Sequence, residues 1–245
     1  MRAAFAWSVL VLTAVVIGGC ATSSRLPASP AEQVVVDAAE HVGGVDWPRK
    51  ISRISGTALV ELYEPDGSVV IRGQQFTAYP RWGLIQANGR LPGGAWHAWV
   101  TIGGLGLVTT GGDFHLRGGE KDQIEQYLRL ILHRLRGPVN LLGGGEQPVD
   151  VQAVFVAGMP MHRVGATGRP ELASAYFFDR KYRQLRLILK EDAGGAGAGT
   201  VTILTHKRVD NVLLPVAMEV VEAGSDSLIG ERARLSVRLE NLRVH

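Results

Sequence analysis

Reactive side chains are few in this sequence, and they are not spaced as a catalytic or metal site requires. The seven histidines are scattered, and none lies four residues from another, the spacing that points two imidazoles of one helix at zinc. The glycine-rich stretches at 103–106, 143–145 and 194–199 lack the Lys-Ser/Thr ending of a phosphate loop, and no Gly-x-Ser-x-Gly segment occurs. We therefore expect neither an enzyme nor a metal site.

Cys20 is the one side chain whose surroundings indicate a covalent reaction. It follows an apolar stretch at 7–17 and the pair Gly18-Gly19, and Arg2 is the one cation before that stretch. This is the layout of a secretory signal, and the stretch is short for a membrane-spanning helix. A single cysteine permits neither an internal disulfide nor a cysteine-based zinc site.

The segment Ile17-Gly18-Gly19-Cys20 resembles the bacterial lipobox, whose cysteine is diacylated before the signal is removed. The resemblance implies a signal peptide at 1–19 and a covalent diacylglycerol with an N-acyl chain such as palmitate on Cys20. Residues 20–46 would be the lipidated N-terminus, a Ser/Pro-rich tether and a possible short helix at 31–42. Ala21 replaces the aspartate that retains related lipoproteins in the inner membrane, which points to anchoring in the outer membrane, facing the periplasm. The alternative is an ordinary cysteine in a signal anchor.

The composition is that of a folding globular protein. Hydrophobic residues make up 46% of the 245 residues and charged residues 20%. The formal net charge is only +3, and no long run of one sign could form a phosphate-binding stripe. Nucleic acid is therefore not an expected partner, and no bound cofactor is indicated.

Most of the remaining chain is predicted to form β-strands. From residue 51 onward, runs rich in β-branched and aromatic residues alternate with turn residues, roughly ten runs in all, at the spacing of an antiparallel meander. Several runs alternate apolar with polar residues, as in Leu185, Leu187 and Leu189 against Arg186 and Lys190, which predicts a sheet with one buried face.

One strong helix interrupts the strands at residues 120–136. An apolar stripe runs along it, acidic residues occupy its first turn and basic residues its last, and Gly137-Pro138 ends it. Placed between two blocks of strands, the stripe is predicted to cover the inner face of a curved sheet. The fold class is therefore mainly β (α+β).

Together, the lipobox, the tether, the meander and the inserted helix resemble the LolA/LolB-like superfamily of outer-membrane lipoprotein carriers and receptors. The stretch at 76–85 is similar to the early strands of that family, and Tyr176-Phe177-Phe178-Asp179-Arg180 with 185–190 resembles its later hairpins. The resemblance implies a half-open barrel over residues 47–245 with an apolar cavity for acyl chains. The stretch Ile102-Gly103-Gly104-Leu105-Gly106-Leu107 departs from the carrier's usual aspartate-glycine turn, so a free shuttle is less expected than an anchored receptor.

Candidate cavity residues come from the aromatic cluster of the early strands and from the helix stripe. They are Phe76, Tyr79, Trp82, Trp96, Trp99, Ile124, Leu128, Ile131, Leu132 and Leu135. The sequence does not decide whether the strand residues point to the inner or the outer side of the sheet, because a one-residue change of register exchanges the two sides.

The sequence is compatible with two functions, one as a lipid-binding protein and one as a structural or assembly protein. The first is an anchored lipoprotein that binds acyl chains of a lipid or lipoprotein in an apolar cavity and serves transport or envelope assembly. The second is a non-catalytic structural or assembly lipoprotein that binds an envelope protein, through a sheet edge or a basic loop around Arg163 and Arg169, and has no cavity. An open apolar concavity favours the first and a filled core the second.

Overall fold

The computed structural model describes residues 29–245 except 65, 67–68, 104–105, 112–114, 117–118, 143–146, 168–174, 192–198 and 225–227. The expected signal segment, Cys20 and the tether up to residue 28 thus lie outside the described residues.

Twelve strands form one antiparallel sheet, in the order β5-β4-β3-β2-β1-β12-β11-β10-β9-β8-β7-β6. Strands adjacent in the chain are adjacent in the sheet, except β5 and β6, which lie at its two edges. The pairing of β12 with β1 joins the two halves. The strands are β1 (Ile54–Tyr63), β2 (Val69–Tyr79), β3 (Leu84–Leu91), β4 (Gly94–Thr101), β5 (Gly106–Thr110), β6 (Gln147–Val156), β7 (Met159–Thr167), β8 (Ala175–Asp179), β9 (Leu185–Glu191), β10 (Gly199–Val209), β11 (Val212–Ala223) and β12 (Ile229–Val244).

The sheet is curved and unclosed, as the resemblance implied, but the expected count of about ten strands was low. The strand that the sequence did not reveal is β7, which pairs with β6 and β8. Its residues include Pro160 and Gly165, and both types are depleted in strands, so local propensity hid it. Arg163 lies in this strand rather than in a loop, and its guanidinium is 3.6 Å from Asp150. Arg169 lies outside the described residues.

The strong helix was predicted correctly. It is α3 (Glu120–Arg136), and the short helix expected at 31–42 is α1 (Pro30–Val42). The Ser29 hydroxyl begins α1 by accepting a hydrogen bond from the Glu32 N–H at 3.1 Å, as an N-cap should. A four-residue helix, α2 (Trp47–Lys50), follows, and 3-10 turns lie at Pro80–Trp82 and Gly137–Leu142. No helix in the described ranges is long and apolar enough to cross a membrane.

Both long helices lie on the inner face of the sheet. α3 contacts β3, β4 and β5 on one side and β11 on the other, whereas α1 contacts β6, β7, β11 and the turn Gly137–Leu142. Their apolar faces join one core with the inward residues of the sheet. Two helices rather than one therefore fill the concavity.

A second apolar cluster involves strands β6 to β12. Its buried members include Phe177, Leu187 and Val201, which alternate along the strands with the inward residues Phe178, Ile188 and Leu204. The later strands thus bury side chains on both faces, and this explains their nearly continuous apolar sequences.

Candidate functional site

The concave face beneath α3 brings together seven of the ten candidate cavity residues. Phe76 on β2 and Trp96 on β4 point inward, and the stripe of α3 packs in the same cluster. Each of the five stripe residues is at most 1% exposed: Ile124, Leu128, Ile131, Leu132 and Leu135. In this structure the apolar side chains of the helix fill the space that a cavity would occupy.

Gly89, which has no side chain, leaves room for the Trp96 indole on the concave face. A Cβ at Gly89, on β3, would collide with the Trp96 ring, because Gly89 and Trp96 are directly opposite each other in adjacent strands. Glycine at 89 therefore lets the Trp96 ring lie against the sheet.

The other three candidates lie elsewhere. Tyr79 and Trp99 alternate onto the outer side of the sheet, and Trp82 lies in the turn after β2, where 68% of it is exposed. Tyr79 and Trp82 stack with their ring centroids 5.6 Å apart, whereas the Trp99 ring packs against His97. The structure therefore does not bring these rings to the concave face.

A polar cluster that the sequence analysis missed borders the apolar surface. Arg72 and Gln74 lie on β2, inward like Phe76, and face Gln123 and Tyr127 of α3. A guanidinium nitrogen of Arg72 donates to the Gln123 side-chain oxygen at 3.0 Å, and the Tyr127 hydroxyl donates to the Gln74 oxygen at 3.2 Å. The sequence could have revealed this cluster through the alternation of side chains along β2, which places Arg72, Gln74 and Phe76 on one face of the strand.

This polar cluster leaves buried donors without partners. Arg72 is only 6% exposed and Gln74 only 3%. The Nε and Nη1 atoms of Arg72 and the Nε2 atom of Gln74 have no hydrogen-bond partner. Burial raises the pKa of Tyr127, against the opposing effect of the nearby Arg72 charge, so this hydroxyl stays protonated and remains a donor.

A groove of about 780 Å³ lies at the first strands, lined by the inward residues Gln74 and Trp96 as well as by Arg90 and a row of outward residues. One residue from each of β1 to β5 lies across it in register, and these are Thr57, Gln75, Asn88, His97 and Thr109. This row carries uncharged polar side chains and a histidine, whereas Gln74 and Trp96 in the same lining belong to the concave face.

Two half-buried histidines lie away from the polar cluster. Burial lowers the pKa of His133 to about 4, helped by the charges of Arg134, Arg136 and Arg129. Burial likewise lowers the pKa of His206 to about 4, with smaller contributions from Arg186 and His41. Among the described residues, no three side chains of His, Cys, Asp or Glu gather as a metal site would require.

Comparison with known proteins finds likeness in structure and not in sequence. No family model and no curated protein matches the chain. A DUF1329 family protein from Desulfovibrio piger has a TM-score of 0.54 at 11% identity, over 88% of this chain and 93% of that one. A candidate outer membrane lipoprotein-sorting protein domain from Vibrio parahaemolyticus has a TM-score of 0.50 at 10% identity, over 87% and 91%. A LolA superfamily protein from Nitrosomonas europaea reaches 0.48 at 7% identity, over 87% and 93%.

The first two likenesses extend over nearly the whole of both chains. They show that this chain shares the fold of these two proteins, and the half-open barrel expected from the sequence is confirmed.

Proposed function

We propose that this protein is a lipoprotein of the bacterial envelope, anchored through Cys20 and facing the periplasm, that binds acyl chains on the concave face beneath α3. Its ligand would be a lipid or the acyl portion of a lipoprotein, and its role would be in lipid or lipoprotein transport or in envelope assembly. The likeness in fold to a lipoprotein-sorting domain supports the proposal. The lipobox and Ala21 support the anchoring in the outer membrane.

The arrangement of α3 carries the proposal. The helix lies across the concave face, and its stripe covers Phe76 and Trp96, which are only 3% exposed each. An acyl chain in the place of the α3 stripe would also keep Phe76 and Trp96 out of water. The contact of these rings with the helix would then be replaced by a contact with the ligand. Binding therefore requires α3 to move away from β3, β4 and β5, and the apolar area buried by the ligand, at about 25 cal/mol per Å², offsets the area that the helix gives up.

A second candidate function has its own supporting observation. The stripe leaves the concave face filled, which favours a lipoprotein that binds an envelope protein without a cavity. The surface for such a partner would be β6, which has a neighbour on one side only within the described part of the sheet. Phe155 on this edge strand is 76% exposed, which is unusual for so large an apolar side chain.

Native mass spectrometry of the full chain separates the two candidates. A mass beyond that of the protein and its covalent lipid, removable by organic extraction, supports acyl binding. Titration with a fluorescent fatty-acid probe then measures affinity, and hydrogen exchange of residues 120–136 reports movement of α3. The first function is rejected if no lipid co-purifies and the probe does not bind saturably.

A further inference from the structure

Arg72 is a buried cation that no described carboxylate neutralises. No ion pair joins it to Asp or Glu in the described ranges, and its hydrogen-bonding neighbours Gln123 and Tyr127 are neutral. The guanidinium stays charged in proteins, so burial cannot be relieved by loss of its proton. Charges taken out of water are normally paired, because the desolvation penalty is several kcal/mol per ion.

The unpartnered donors on this face lie in one place. The Nε and Nη1 atoms of Arg72 and the Nε2 atom of Gln74 are buried without acceptors, and the two residues are neighbours along the inner side of β2. Three donors, two of them on a guanidinium, favour an oxyanion, since hydrogen bonds from a guanidinium to carboxylate or phosphate oxygens are charge-assisted and strong.

The neighbouring surface has the polarity of an amphiphile. Along the inner side of β2, the polar residues Arg72 and Gln74 are followed by Phe76 and Ala78. Along α3, Gln123 and Tyr127 face the polar end of this strand, and the apolar stripe continues from Leu128 to Leu135. A molecule with an anionic head and an apolar tail would therefore fit in a single direction.

We propose that Arg72, with Gln74, is the head-group site for an anionic lipid whose acyl chain lies beneath α3. The inference rests on the proposed acyl-binding function and adds to it the charge of the ligand and its orientation. The oxyanion is the carboxylate or phosphate of the lipid, held by the unpartnered nitrogens, and the chain runs from there past Phe76 toward Ile131.

The test compares two probes with the same acyl chain, a fluorescent long-chain fatty acid and its uncharged methyl ester, each titrated into the full chain. We expect the wild-type protein to bind the acid at least about tenfold more tightly, the discrimination that a charged hydrogen bond provides. Arg72→Met keeps an apolar stem of similar length and should bind acid and ester equally. Arg72→Lys should retain a preference for the acid, and Arg49→Met, at an exposed arginine of α2, should behave as wild type.

The outcomes separate the inference from the function on which it rests. Failure of the wild-type chain to bind either probe rejects acyl binding altogether. Equal binding of acid and ester by the wild-type chain, or an undiminished preference in folded Arg72→Met, overturns the head-group site alone. If inorganic phosphate, which has no acyl chain, competes as strongly as the unlabelled fatty acid, the lipid assignment is overturned in favour of a free anion. If Arg72→Met does not fold, loss of preference in Arg72→Lys would also overturn the proposal.

Discussion

The hydroxyl of Tyr127 on α3 donates a hydrogen bond to the side-chain oxygen of Gln74 on β2, across 3.2 Å and 53 residues of sequence. Both side chains are buried, and the contact fixes the helix over the polar end of the concave face. The neighbouring contact between Arg72 and Gln123 repeats the connection one helical turn earlier.

Removal of that hydroxyl should weaken the fold measurably. Tyr127→Phe leaves the Gln74 oxygen buried without its donor, and an unsatisfied buried polar group costs about 1–3 kcal/mol. Denaturant unfolding of the variant checks this value. Tyr63→Phe is the matched control, because the Tyr63 hydroxyl bonds to Glu61 at an exposed site. Equal losses in both variants would contradict the prediction.

The stripe of α3 should behave as core in the absence of ligand. Leu128→Ala removes a fully buried side chain, so we expect a loss of about 2–5 kcal/mol in the free energy of unfolding. Gln126→Ala, on the exposed side of the same helix, should stay within about 0.5 kcal/mol of wild type.

If an acyl chain occupies this face, a saturating fatty-acid probe should restore stability to Leu128→Ala, because a ligand that binds the folded state alone shifts the unfolding equilibrium. Thermal unfolding with and without the probe measures the recovery. A melting temperature that the probe leaves unchanged would argue against a ligand at Leu128.

The two half-buried histidines, His133 and His206, predict that stability falls in mild acid. Their pKa values in the folded protein, about 4, lie below the ordinary 6.5, so the unfolded chain binds protons first as pH falls. Their contribution is fully present above pH 6.5, is lost between 6.5 and about 4, and amounts to roughly 3 kcal/mol for each residue. Urea unfolding across this range should show the slope, and it should be shallower in His206→Gln but unchanged in a variant of the exposed His115.

The turn between β8 and β9 depends on the carboxylate of Asp179. This side chain accepts hydrogen bonds from the backbone N–H groups of Lys181 and Tyr182 at 2.8 and 2.9 Å. Asp179→Ala should cost about 1–3 kcal/mol, since two backbone donors lose their acceptor. Asp46→Ala, which removes an exposed ion pair with Arg49, should cost less than about 1 kcal/mol by the same unfolding measurement.

Acylation is predicted to depend on Cys20. Cys20→Ser should leave an uncleaved, unacylated precursor, because a hydroxyl does not replace the thiol that accepts the diacylglyceryl group in the lipobox pathway. Mass spectrometry and detergent partitioning of the expressed protein test this. Normal processing of the serine variant would remove the case for a lipobox.

The sequence by itself determined the elements with a strong local signal. The stripe, the charged turns and Gly137 define α3 at its observed bounds, because helical periodicity and end effects act within a few residues. The antiparallel meander was also predictable, since strands adjacent in sequence usually pair. Strand β7 was not predicted because Pro160 and Gly165 weaken the local preference for a strand. Its hydrogen bonds to β6 and β8 hold it in the strand conformation despite these residues.

Only the tertiary structure decided which side chains share the concave face. Strand register sends Trp96 inward and Trp99 outward, although both belong to the same strand and are equally apolar in sequence. The pairing of β12 with β1 and the meeting of Arg72 with Gln123 depend on contacts between distant parts of the chain. No local pattern encodes such contacts, because their free energy arises only when the sheet has curved around the helices and excluded water from the face between them.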